Sequence, residues 1–227
     1  GNARRADTTR QVTDEVTFTA LIGGNATILP PFDPAFLAQC VERSNMLKQC
    51  IAAMVTNVAQ GGYEAVAINT TTTAEENEKL ELESFIDSPN SDESLIGVQT
   101  KIVDDYETYG YAFLEVIRDR RGRVSLLRHA PARLTRLTEK DAEPQRVTFD
   151  VQRGKRVTAV TEFKTFRRFV QSSGTKYQFF KEFGDPRKLN ANTGVFDATT
   201  KEENLATEII HLRQNSADSY GTPRWIN

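Results

Sequence analysis

The chain has 227 residues, 38% of them hydrophobic and 26% charged, with a formal net charge of −2. That length can bury one large or two small apolar cores, and no run of about 18 apolar residues, the length needed to cross a bilayer, is present. A near-neutral balance provides no global field for phosphate, which argues against a dedicated DNA-binding domain.

Residues 1–29 read as a polar arm with a short strand expected at Val16 to Ile22, ended by Gly23-Gly24. Arg4-Arg5 is not followed by the apolar stretch of a secretory signal. Leu29-Pro30-Pro31-Phe32-Asp33-Pro34 then leads into a helix, with Asp33 as cap and Pro34 at the first helical position, where no donor is needed. Leu37, Cys40, Val41, Leu47, Ile51, Met54, Val55 and Val58 follow at near-helical period, which predicts one helix closed by Gly61-Gly62. On one helix Cys40 and Cys50 stand about 15 Å apart, too far to bridge, so two free thiols and a reducing compartment are expected.

Tyr63 to Ile68 reads as a short strand, the threonines at 70–73 as a loop, and Ala74 to Ile86 as an exposed acidic helix. Ser88-Pro89-Asn90-Ser91 is a breaker. Leu95, Val98, Ile102, Tyr106 and Tyr109 step at helical spacing up to Gly110. From Tyr111 the period changes. Tyr111 to Ile117 and Val124 to His129 form one predicted hairpin, ended by Pro131, and Arg146 to Val151 with Val157 to Phe163 form another. Phe166 to Gln171, Lys176 to Glu182 and Glu208 to Leu212 are further strands, and Asp185 to Thr200 reads as a surface excursion. Helices first and a mostly antiparallel sheet after them make the expected class α+β.

Asp104, Asp105 and Glu107 could bind a divalent ion if they converged, but neighbours in a helix face different directions, and a solvated face is the simpler reading. The two histidines, His129 and His211, are far apart and carry no nucleophile elbow or metal spacing; hydrogen-bonded structural roles are expected. Gly61-Gly62 ends a helix, whereas a phosphate cradle needs amides at a helix start. Phe163, Phe166, Phe169, Tyr177, Phe179, Phe180 and Phe183 interleave with cations. That pattern suits a single-strand stacking platform, but alternation along strands places the same rings in a core. The basic clusters at Arg118, Arg120, Arg121 and Arg123 and at Arg167 and Arg168 read as solvated turns and strand faces. No catalytic, cofactor-binding or metal residue is assigned.

Glu208-Ile209-Ile210-His211-Leu212-Arg213, followed by Tyr220-Gly221-Thr222-Pro223-Arg224-Trp225-Ile226, resembles portal proteins of tailed double-stranded-DNA phages. There an apolar strand ending in His-Leu or His-Phe precedes a Tyr-Gly-x-Pro turn and a Trp-Ile pair. Pro31-Phe32-Asp33-Pro34 with its helix, the Asp104 to Glu115 helix–glycine–strand element, His129-Ala130-Pro131-Ala132 and Arg167 to Gln171 are similar too, in the same order. The resemblance implies a wing-like α+β domain over 30–227, helical to about 110 and β-rich beyond, after an arm at 1–29. It singles out His211, Tyr220, Gly221, Pro223 and Trp225 as an assembly motif.

It also implies a non-catalytic virion protein forming a homo-oligomeric ring of about twelve subunits at one capsid vertex, with heterologous contacts between neighbours. Terminase, capsid or scaffold and head–tail adaptor proteins are the implied partners, with DNA passing through unread. Stem, clip and tunnel segments of the family have no counterpart here, and the lone Trp225 beside the chain's end reads as leading into further structure. A generic protein-binding α+β module and a metal-dependent hydrolase or nuclease are the competing readings.

Overall fold

The computed structural model describes residues 27–66, 73–153, 156–173, 176–214 and 219–226. In chain order the elements are strand β1 (Thr27–Ile28), then helices α1 (Pro34–Arg43), α2 (Asn45–Ala59), α3 (Thr73–Asp87) and α4 (Leu95–Tyr109). Strands β2 (Tyr111–Arg118), β3 (Val124–Ala130), β4 (Thr135–Lys140), β5 (Gln145–Arg153) and β6 (Arg156–Lys164) follow. β7 (Arg167–Ser173), β8 (Lys176–Glu182) and β9 (Glu208–Arg213) complete the series. The fold is α+β with mostly antiparallel pairing, helices preceding the bulk of the strands.

Several local expectations need correction. The single helix predicted from Asp33 to Gln60 is two, because Ser44 interrupts it. The backbone of Ser44 is extended (φ −107°, ψ 100°) and its Oγ accepts a hydrogen bond from Leu47 N at 3.3 Å, so a capping side chain replaces a helical turn. Cys40 and Cys50 are both free thiols, but on different helices, so their separation along a common axis has no meaning. Tyr63–Val66 is irregular where a strand was predicted, and the rest of that stretch lies outside the described residues, as does the strand expected at 16–22. Strand β4 was missed, since Thr135-Arg136-Leu137-Thr138 has only one strong apolar residue.

Two compact units form by contact: residues 27–33 with Leu134–Ile210, among those described, and Pro34–Arg133 with the residues from His211 onward. In the first unit the strands run β1-β4-β7-β8-β9, with β8 and β9 parallel through Lys181↔Glu208 and the other pairs antiparallel. Leu137, Phe169 and Phe180 lie in register and are buried, and so are Val170 and Phe179 beside them. Consecutive buried residues mean that both sheet faces are covered.

One cover is the segment expected to be a surface excursion. Leu189 packs with Val170, Phe179 and Ala206, and Phe196 leans on the same cluster. Its polar residues serve the backbone: Asn190 Oδ1 accepts from Asn192 N and Thr193 N, and Gly194 turns with φ +68° against the Phe179 ring. Arg168, expected in solvent, reaches Asp141 Oδ1 at 3.3 Å and the Gly194 carbonyl at 2.9 Å. Arg187 lies 3.7 Å from the Phe196 ring centroid and pairs with Asp141 and Asp185. Of the aromatic set, Phe166, Phe169, Phe179 and Phe180 are core, while Phe163 and Phe183 are exposed.

In the second unit, α2 and α4 share a core of Ile51, Val55 and Val103, and Val98 and Ile102 of α4 pack with Ala112 of β2. Asn90 is buried before α4: its Oδ1 accepts from Asp92 N and Glu93 N, and its amide donates to Leu127 O at 2.8 Å. Ser94 then caps α4 through Gly97 N.

Candidate assembly site

The five residues singled out by the resemblance all lie in the second unit, and the fold gathers them around the C-terminal end of α4. Gly110 terminates that helix with φ +83°, its N–H bonded to Tyr106 O at 3.0 Å. Its carbonyl accepts from Gln214 N at 2.8 Å, and the Gln214 side-chain amide donates to Tyr106 O at 3.1 Å. The turn at Gly221 closes directly on this cap. A Cβ on Gly110 would stand 2.4 Å from the carbonyl carbon of Thr222, and one on Gly221 would stand 2.0 Å from Gly110 O. Two glycines are therefore needed where two backbones touch.

Around this contact the side chains divide by chemistry. Tyr220 is buried, its ring 4.7 Å from Tyr111 at 60°. His211 stacks on Phe113, with centroids 5.0 Å apart and planes at 26°, and stands edge-on to Tyr220. His211 is thus a packing member of an aromatic cluster. Trp225 takes the other side: its indole N–H donates to Glu107 O at 3.1 Å and its ring joins Ile51, Val55 and Val103. Arg224 pairs with the Glu107 carboxylate. Pro223 is buried at the start of the short turn of helix Arg224–Ile226, whose Ile226 N bonds Pro223 O. Beside Trp225 opens a shallow groove of about 250 Å³, lined by Leu47, Cys50, Ile51, Met54, Glu107 and Arg224.

The three carboxylates proposed as metal ligands have separate environments. Asp105 is buried, with its Oδ2 2.6 Å from His129 Nε2 and accepting from Ala132 N at 2.9 Å. Glu107 faces Arg224, and Asp104 lies at the surface. Desolvation, and then the charge of Asp105, raise the Asp104 carboxyl above its ordinary value, while His129 opposes them. Burial, reinforced by Asp105, pushes the Tyr109 phenol up to about 12. Among the described residues no group of three or more His, Cys, Asp or Glu stands close enough to hold a metal ion. The role of Gly110 as a seat was missed: its place after a helical run reads only as a cap, and nothing local announces a partner more than a hundred positions on.

No family model matches the chain. It is 31% identical over an alignment of 230 positions that covers 97% of its length to the phage-like element PBSX protein XkdE of Bacillus subtilis (strain 168). It is 32% identical over 206 residues, 87% of its length, to the uncharacterized protein YqbA of the same organism. The chain spans 46% and 40% of these two relatives, less than half of either. Its fold is similar to a chain from the neck of a native GTA particle computed with C12 symmetry, at a TM-score of 0.50 and 12% identity, covering 93% of this chain and 44% of that one.

Proposed function

We propose that this chain is the wing-like portion of a phage or prophage portal protein, a ring subunit at the capsid vertex that acts through contacts instead of turnover. The observation that carries the reading is the seating of Tyr220 to Trp225 on the end of α4. There two glycine backbones touch, Tyr220 is buried against Tyr111, and the Trp225 indole bonds Glu107 O, so backbone, ring and hydrogen-bond contacts all hold the segment to the helix end. The similarity to a protein of a phage-like element, and a fold shared with a chain of a symmetric particle neck, support the same reading.

A ring requires a rigid body, since small errors in the angle between neighbours accumulate around the circle. The paired cores on α4 suit that demand. Terminase and head–tail adaptors belong to this proposal as docking partners, and the virion as its location. The test is electron microscopy and native mass spectrometry of the full-length protein. Closed rings, near the twelvefold symmetry of the neck particle, are expected. A product that stays monomeric under every assembly condition would overturn the proposal, and so would magnesium- or manganese-dependent nuclease activity abolished by Asp105→Asn.

A further inference from the structure

The β2–β3 hairpin ends in Arg118-Asp119-Arg120-Arg121-Gly122-Arg123, four arginines around one acid, and all four arginines are exposed. The turn that carries them is braced from within. Asp119 N donates to Arg123 O at 2.8 Å, and Gly122 N to Asp119 O at 2.9 Å. Arg118 Nη1 crosses the turn to the Gly122 carbonyl at 2.9 Å. The one carboxylate is already engaged in the loop: its Oδ1 accepts from the amides of Arg121 and Arg123, and its Oδ2 from Arg123 Nε at 3.1 Å. Four guanidiniums against one carboxylate leave this tip three charges positive, on a chain whose net charge is −2.

We infer that the hairpin tip is a sequence-independent contact for the phosphates of double-stranded DNA. Charge alone would admit any polyanion, and three features select this one. The cations are all arginine, whose planar fork matches pairs of phosphate oxygens. No aromatic residue lies between Arg118 and Val124, so the tip has no stacking platform for single strands. A two-stranded ribbon fits the wide major groove of B-form DNA, whereas that of an A-form duplex is too narrow to enter. A turn fixed before binding also avoids the cost of ordering a loose loop on contact. The presence of DNA rests on the phage-particle reading above, and ring closure is not required.

The test measures binding of the full-length protein to a short mixed-sequence DNA duplex by fluorescence anisotropy across a salt series. Native mass spectrometry matches the oligomeric state of the samples compared. Arg120→Gln with Arg121→Gln keeps the backbone bonds of the turn. It should weaken binding about tenfold at low salt and flatten the slope of log affinity against log salt by about two. Lys140→Gln with Lys201→Gln makes the same change in net charge at exposed positions of the first unit, and should leave affinity within about twofold. Unchanged affinity and slope in the arginine variant overturn the inference, as does an equal loss in the lysine control or no binding by the unaltered protein. Polyglutamate or duplex RNA displacing the DNA as well as unlabelled DNA does overturns it too, and would assign the tip to an acidic protein surface or to phosphate of any geometry. Monomers that bind through the tip would uphold this contact while removing the ring reading. Rings that bind without regard to the tip would do the reverse.

Discussion

Gly110 and Gly122 share a left-handed backbone, φ +83° and +79°, but differ in what surrounds them. Nothing lies within 4 Å of a Cβ built on Gly122, whereas the Gly110 position is filled by the Thr222–Pro223 backbone. Gly122→Ala should therefore cost only the left-handed strain, about 1 kcal/mol. Gly110→Ala adds a backbone clash and should cost at least about 3 kcal/mol. Urea unfolding of the two variants checks the difference, and equal losses would argue against the seat at residues 221–223.

Tyr109 offers a second measurement at the same scale. Its folded phenol titrates near 12 against an ordinary 10, so the folded chain holds its proton more tightly than the unfolded one. The stability this contributes is fully present below pH 10 and is lost as pH rises toward 12. Over that window the stability difference between wild type and Tyr109→Phe should shrink or reverse by on the order of 2 kcal/mol. A constant difference across the window would count against burial as the cause.

At the scale of elements, side-chain capping decides where helices begin and end. The periodic apolar pattern runs through Ser44 without interruption, yet one hydroxyl bonded to Leu47 N divides the helix in two. Ser44→Ala should destabilise the second unit by about 1 kcal/mol without changing protection of the first unit's strands, as measured by thermal unfolding with hydrogen exchange. Hairpins were more legible than helix junctions. Asp119 gathers the amides of Arg121 and Arg123 in the β2–β3 turn, and these bonds, that of Arg123 first, hold its carboxyl below the ordinary value. That signal is wholly local. The Asp185 to Thr200 segment was misread for the opposite reason: its polar residues satisfy its own backbone, which frees Leu189 and Phe196 to cover the sheet.

For the whole molecule, Trp225 joins the closing segment to the α2–α4 core through its ring and through Glu107 O. Trp225→Ala should cost about 2–3 kcal/mol, less than a fully buried tryptophan, and, on the ring proposed above, lower ring yield in the full-length protein with far-UV circular dichroism unchanged. Wild-type ring yield from that variant would deny the segment a part in assembly.

The α+β class, both hairpins and the helix closed by Gly110 could be read from the chain because each is written in local terms: apolar period, turn residues and caps acting over a few positions. The aromatic core was legible only in part, since alternation implies one inside face, whereas Phe169-Val170 and Phe179-Phe180 are buried consecutively and Phe163 and Phe183 are exposed. Other features arise from residues far apart in the chain and depend on packing. The pairing of Asp105 with His129, the commitment of Glu107 to Arg224 and the bonding of Arg168 to Asp141 and Gly194 O all needed neighbours supplied by folding. The contact between Gly110 and Gly221 needed the same. Short-range preferences set each element's identity, while the meeting of distant backbones determines which glycine cannot change and which carboxylate is already engaged.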